Sequence, residues 1–348
     1  MSSTGRSAVQ IGAGFALLAA CLFGVSTPLL RHFHAGPFVT ASLLYTGAAL
    51  ASLPHRGVSS DTPIRIRNTP RIVAAALSGA VIAPACLAWG LSRTTATVGS
   101  LLLASEAFFT VALAALFYRE PIGKRLGAAL ALITLASMVL VRGAGSASLG
   151  GLAGALAVMA ACAAWALDNT IARPLADLDA RQVVIAKSLM GALLSVAIAL
   201  GFGETAPPYA VALGLIATGG LGYGVSLRCY LLAQRRIGAA RTGSIFATAP
   251  FVGALAAWLT GQGEIDRSTV LAGCLVALGL YLQLRETHGH EHAHDAMDHE
   301  HAHRHDAHHR HSHEFPWDGT EPHSHAHRHE ELIHEHPHYP DVHHRHRH

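Results

Sequence analysis

Between His288 and His348 the chain carries 23 of its 26 histidines, many alternating with small or acidic residues, as in His288-Gly-His-Glu-His-Ala-His294 and His323-Ser-His-Ala-His-Arg-His329. Neutral imidazole ligates nickel, cobalt, zinc and copper(II). The alternation offers many ligand sets rather than one tetrahedral frame of fixed spacing. Several weak, exchangeable sites are therefore expected, drawn from His288, His290, His292, His294, His299, His301, His303, His305, His323, His325, His327 and His329. Glu291, Asp295, Asp298, Glu300 and Asp306 add oxygen donors, and Met297 is the only sulfur, which argues against soft copper(I). With almost nothing apolar to bury, the segment is expected to be disordered without metal.

The other residues able to do chemistry lie in apolar surroundings. Glu106 sits in Leu103-Ala-Ser-Glu-Ala-Phe-Phe109, where a charged carboxylate costs of order 3 kcal/mol in a membrane helix and needs a cation, a proton or a basic partner. Asp168 and Asn169 lie in a later apolar stretch, at the place that Thr27 occupies in an earlier one. Glu106, Asp168, Asn169, Thr27 and Arg228 are the candidate transport-pathway residues, and in an ion-pair reading Arg228 or Lys187 is the basic partner. Two readings stand: a shared cation and proton site, or an ion pair that holds two helices together. Lys187 and Arg228 also lie near span ends, where snorkelling to the interface accounts for them. His32 and His34, after the first stretch, could receive an exiting cation or be plain interfacial residues. Glu120 and Glu264 are expected to cap helix N-termini or to pair with loop arginines.

The elements that must position these groups are membrane helices. The chain is 51% hydrophobic and 14% charged, against about 25% charged in soluble domains. Apolar stretches of the length needed to cross a bilayer fall at about 9–30, 37–54, 71–91, 96–117, 124–142, 149–170, 182–202, 209–232, 240–261 and 268–284. They are rich in Ala, Gly and Leu, which suits bundled helices in close backbone contact. The five cysteines lie within these stretches without a CxxC pair, so no disulfide framework is implied. The basic excess sits in short loops, so net charge says little about nucleic acid, and no nucleic-acid partner is expected. With the N-terminus inside, thirteen loop Lys and Arg face the cytoplasm and four (Arg31, Arg93, Arg142, Arg267) face out, and the even number of spans brings the tail inside as well.

The chain also repeats itself. Thr97-Val-Gly-Ser-Leu-Leu-Leu-Ala-Ser-Glu106 aligns with Arg241-Thr-Gly-Ser-Ile-Phe-Ala-Thr-Ala-Pro250 at an offset of 144, and Ala19-Ala-Cys21 matches Ala160-Ala-Cys162. Five spans per repeat is odd, so the halves are inverted, as in secondary transporters whose site lies near the midplane. The expected fold is an all-α membrane protein of about ten helices: repeat one over 1–145, repeat two over 146–285, and a disordered cytoplasmic tail over 286–348.

Two five-helix halves, with a Gly-Ser-containing fourth helix ending in a Glu (Glu120, Glu264), resemble the EamA branch of the drug/metabolite transporter superfamily. Many members carry a Pro in that helix. Pro250 keeps it in the second half, and Glu106 stands in its place in the first. The resemblance implies export of small solutes, and His-rich members resemble nickel/cobalt efflux proteins. The leading expectation is a proton-coupled exporter of a divalent transition metal, nickel or cobalt first and zinc next, in the cell inner membrane, with both termini cytoplasmic. The alternatives are a metabolite or amino-acid exporter with a metal-responsive tail, and a membrane-anchored metal buffer or sensor. Expected partners are the metal cation, protons and the lipid bilayer, with a homodimer left open and no cofactor in the fold. No catalytic motif is present, so an enzyme is not expected.

Overall fold

The computed structural model describes residues 3–53, 64–118, 122–175, 178–237, 239–284, 291–294, 297–303, 323–329 and 332–335. Glu120, His288, His290 and His305 lie outside the described residues. The chain threads α1 (Gln10–His32), α2 (Pro37–Ser52), α3 (Ile66–Leu91), α4 (Ala96–Tyr118), α5 (Lys124–Gly145), α6 (Leu149–Leu175), α7 (Arg181–Gly201), α8 (Tyr209–Gln234), α9 (Arg241–Leu259) and α10 (Arg267–Gln283). Eight of these are long and apolar enough to cross a membrane, and α2 and α10 are apolar but shorter. At 1.5 Å per residue, α2 reaches only ~24 Å against a hydrocarbon core of about 30 Å.

Local chemistry sets the helix ends. Thr95, Ser148 and Asp179 accept hydrogen bonds from Val98 N (3.2 Å), Gly151 N (2.9 Å) and Arg181 N (2.9 Å), starting α4, α6 and α7. Asp266 accepts from Thr269 N at 2.8 Å and Ser268 Oγ at 2.7 Å ahead of α10, and these bonds from Thr269 and Ser268 hold its carboxyl below the usual range. The start of α2 is capped from a distant loop: Glu204 accepts from Val39 N at 2.8 Å and Phe38 N at 3.3 Å.

Four of the helices are not regular throughout. In α3 residues Leu77–Ile82 form a π turn, and in α8 residues Gly219–Val225 do the same. In α4 the helix tightens around Leu103 and Ala104, with Ala104 N bonded to Leu101 O (3.1 Å) and Ala107 N to Ala104 O (3.2 Å). In α9 the same tightening falls at Ala247 and Thr248, with Thr248 N bonded to Ile245 O (3.1 Å) and Phe251 N to Thr248 O (3.0 Å). These bonds coincide at the offset of 144 that relates the two sequence segments. Pro250 lacks the N–H needed to continue α9, which accounts for its break.

The packing partners have a regular pattern. Helix α1 packs on α8 and α9, as α6 packs on α3 and α4; α2 packs on α7, α4 on α9 and α5 on α10. Burial of apolar surface gives little drive between helices in lipid, so close backbone fit carries the association. The α3–α6 crossing shows this. A Cβ on Gly90 would come within 2.7 Å of Gly154 O, and one on Gly154 within 2.8 Å of Gly90 O, so only glycine fits at either position.

The described residues of the tail form four short strands, β1 (Glu291–His294), β2 (Met297–His303), β3 (His323–His329) and β4 (Leu332–Glu335). They pair antiparallel as β1–β4 and β2–β3. The physical reason lies in the His-X-His alternation, whose period of two is the period of a strand.

Candidate functional site

The site is built around the irregular turns. A π turn leaves a backbone carbonyl without its helical partner. In α3 the Gly79 carbonyl accepts from Tyr45 Oη of α2 at 2.6 Å and from Trp165 Nε1 of α6 at 3.0 Å. Asp168, one turn beyond Trp165, packs against Gly79 so closely that any Cβ there would collide with its carboxylate. Asp168 is 3% exposed. Its Oδ2 accepts from Lys187 Nζ of α7, while its Oδ1 is buried without a hydrogen-bond partner.

The second irregularity places Glu106. Its N–H bonds to Leu103 O at 3.1 Å, not to Leu102 O as a regular α-helix would require. The freed Leu102 carbonyl accepts instead from the Cys162 thiol of α6 at 3.5 Å. Glu106 therefore stands in the first turn of the half-helix Ser105–Tyr118 and not at mid-helix, where the unbroken apolar run would put it. The exposed N–H groups of a helix start favour a carboxylate. Asn169 Nδ2 donates to Glu106 Oε1 at 2.9 Å.

An aromatic cluster completes the surroundings. Phe23 of α1 meets Trp165, Tyr223 and Phe246 at ring-centroid distances of 6.3, 5.7 and 5.5 Å. Tyr45 meets Tyr223 at 5.9 Å, and Tyr230 meets Phe246 at 5.1 Å. The Tyr223 hydroxyl is buried among them.

The structure thus joins Glu106 with Asn169 and sets Asp168 beside them on α6. Thr27 is buried on α1, one turn beyond Phe23. Arg228 is placed elsewhere: its Nη1 donates to Ala51 O at 3.4 Å in the last turn of α2, a favourable position for a cation at a helix C-terminus. The basic partner of Asp168 is Lys187, the residue that snorkelling would have sent to the interface. His32 and His34 are exposed, and Glu264 is exposed. The aromatic cluster and Gly79 were not singled out from sequence. Trp165 had a usable signal, since it shares a helix face with Asp168 three residues on. Gly79 had none, because its role depends on a backbone turn.

Among the described residues no group of three or more His, Cys, Asp or Glu gathers as a metal cradle. A separate cavity of ≈ 810 Å³ lies between α4, α5 and α6. Its lining is apolar apart from groups such as Ser105, Ser137 and Arg142, and it includes neither Glu106 nor Asp168.

Comparison with known proteins agrees with this architecture. A transporter of uncharacterised function from Methanothermobacter thermautotrophicus is 28% identical over 238 residues, covering 66% of this chain and 68% of its own. A solved crystal structure superposes with a TM-score of 0.55 at 18% identity, covering 80% of this chain and 96% of its own, a likeness that bears on the fold alone. The EamA-like transporter family matches residues 10–142 and 152–285, nearly all of the helical body, and this multi-pass membrane chain belongs to that family.

Proposed function

We propose that this protein is a proton-coupled secondary transporter of a small organic solute bearing an ammonium group, an amine or an amino acid, with a metal-responsive tail. One observation carries the reading: Glu106, at the start of a half-helix, is hydrogen-bonded to Asn169 of α6, the helix whose Trp165 packs into the aromatic cluster around Phe23. A single carboxylate with aromatic faces suits an organic ammonium, which rings attract through their π-electron faces. A bare divalent transition metal asks for three or four close donors. Asp168 is already engaged by Lys187.

A carboxylate in a membrane interior can cycle between proton and cation, which supplies the coupling. Two inverted halves are supported by the packing of α1 on α8 and α9, which maps onto that of α6 on α3 and α4, by the α2–α7, α4–α9 and α5–α10 pairs, and by the coincident breaks in α4 and α9. Export across the cell inner membrane with cytoplasmic termini is supported by the bias of Lys and Arg among the loops.

A second reading is favoured by the tail: the transported species is the divalent metal itself, nickel or cobalt before zinc, collected by the histidines. The test is transport by the full-length protein in proteoliposomes under an imposed proton gradient, comparing a panel of labelled amines and amino acids with radioactive nickel. Movement of an ammonium compound, abolished by Glu106→Gln, supports the first reading. Movement of nickel and of no organic solute replaces it with the second.

A further inference from the structure

The cavity of ≈ 810 Å³ between α4, α5 and α6 occupies one half of the membrane's depth. On α5 its lining runs from Ile133, near the middle of that helix, to Gly145 at its end. At 1.5 Å per residue that stretch spans ~18 Å, against about 15 Å for one leaflet's share of the hydrocarbon core. The deep end lies beside the break in α4, where Ser105 and Phe109 contribute. The shallow end lies at the connection between α5 and α6, where Gly145 faces Leu152.

Packing accounts for the gap. The half-helix Ser105–Tyr118 packs chiefly on α6 and only lightly on α5, whose principal partner is α10. At the rim, Met138 is 60% exposed and Leu156 is 51% exposed. In a membrane-spanning bundle such apolar surface faces lipid, so the cavity opens sideways into the bilayer.

The hydrogen bonds decide what would fill it. Ser137 Oγ donates to Ile133 O at 2.8 Å and is 2.8 Å from Ser105 Oγ, which donates to it in turn. Thr134 Oγ1 donates to Leu130 O at 2.8 Å. The hydroxyls of the deep end are thus satisfied within the protein and ask nothing of a ligand. Arg142 differs: it is exposed at the shallow end and has no hydrogen bond or ion pair among the described residues. A ligand matched to this lining has one long apolar chain and one anionic head at the depth of the membrane surface. Guanidinium matches the oxygens of a phosphate through its fork of N–H donors.

We propose that the cavity is a binding site for one membrane phospholipid, with its phosphate on Arg142 and one acyl chain lying between α4, α5 and α6 down to Ser105 and Ile133. The second chain stays in the bilayer through the lateral opening. Basic residues between membrane helices hold lipid head groups in this way. The site is separate from Glu106 and Asp168 and does not depend on which solute the protein carries.

The test uses the full-length protein in a neutral, non-ionic detergent with a few equivalents of phosphatidylglycerol carrying a diazirine at the tip of one acyl chain. After illumination, peptide mass spectrometry locates the adducts. They are expected to concentrate at Ser105–Phe109 and around Ile133. Arg142→Gln is expected to lower that labelling roughly tenfold, the scale of one lost charge-assisted hydrogen bond. Val141→Trp, which fills the cavity, is expected to abolish it. Arg93→Gln, in a residue whose guanidinium already bonds Trp89 O and Ser92 Oγ outside the cavity, is expected to label as wild type does. Unlabelled phosphatidylglycerol should compete and a free fatty acid should not. Adducts spread evenly over exposed apolar residues such as Leu189, Leu193 and Leu200, or equal labelling in wild type and Arg142→Gln, overturns the proposal. Competition by the fatty acid as strong as by the phospholipid overturns it too. Arg142 is exposed, so its variant keeps the test decisive even if Val141→Trp fails to fold.

Discussion

Asn169 donates through Nδ2 to Oε1 of Glu106 at 2.9 Å, tying α6 to the point where α4 restarts after its break. Its neighbour Asp168 bonds in a different direction, to Lys187 of α7. Consecutive residues on a helix diverge by about a quarter turn, so one step along α6 serves two other helices.

Glu106→Gln keeps the size of the side chain and removes its charge. Transport is expected to fall at least a hundredfold and the response to a proton gradient to vanish, with membrane insertion unchanged, because an amide cannot exchange a proton for a cation. Flux in proteoliposomes with and without the gradient measures this. A wild-type rate with an intact gradient response would make Glu106 purely structural.

Lys187→Met leaves a buried carboxylate without its cation, and stability is expected to drop by about 3 kcal/mol. The double variant Asp168→Asn with Lys187→Met is expected to recover most of that loss, since both charges go together. Thermal unfolding of the two purified variants, compared with Asp168→Asn alone, gives the coupling. Strict additivity would show that the pair contributes nothing.

Cys162→Ala removes the donor to the Leu102 carbonyl, and a loss of about 1 kcal/mol is expected, while Cys162→Ser, which keeps a donor, is expected to stay close to wild type. Equal melting temperatures for the Ala and Ser variants would mean that the thiol serves by volume alone.

Two hydrogen bonds close the helix ends at matching places. Tyr118 Oη donates to Thr170 O at 2.8 Å, joining the ends of α4 and α6, and Arg31 Nη1 donates to Gln262 O at 3.1 Å, joining α1 to the segment after α9. Tyr118→Phe and Arg31→Met are expected to open the bundle on opposite sides. In a background lacking the other four cysteines, an impermeant thiol reagent should reach Cys162 from one side in the first variant and from the other in the second. Labelling from the same side in both would refute this.

A chain ending at Leu284 is expected to insert and transport at a rate within a few-fold of wild type, while losing any response to added zinc or nickel. In the full chain that response should weaken as pH falls through about 6.5, because imidazole must be neutral to ligate. A metal response surviving truncation would place the sensor in the helical body.

The positions of the apolar helices were legible in the residues, because a bilayer demands long apolar runs and tolerates few charges. The exceptions are instructive. Pro37–Ser52 reads as a span but falls short of one in length, and Glu106 reads as mid-helix but begins a half-helix. The carboxylates Glu106 and Asp168 stood out by their cost in an apolar setting, whereas the choice of basic partner did not, since nothing in the local sequence distinguishes Lys187 from Arg228.

Composition and periodicity alone determined that this chain is a helical membrane protein with a histidine-rich tail, since both follow from residue type and local spacing. Tertiary structure decided which groups meet. The π turn at Gly79, the break before Glu106 and the choice of Lys187 for Asp168 depend on backbones from several helices approaching within contact distance. In the tail it decided which histidines oppose one another, because strand register depends on two segments twenty residues apart finding one alignment.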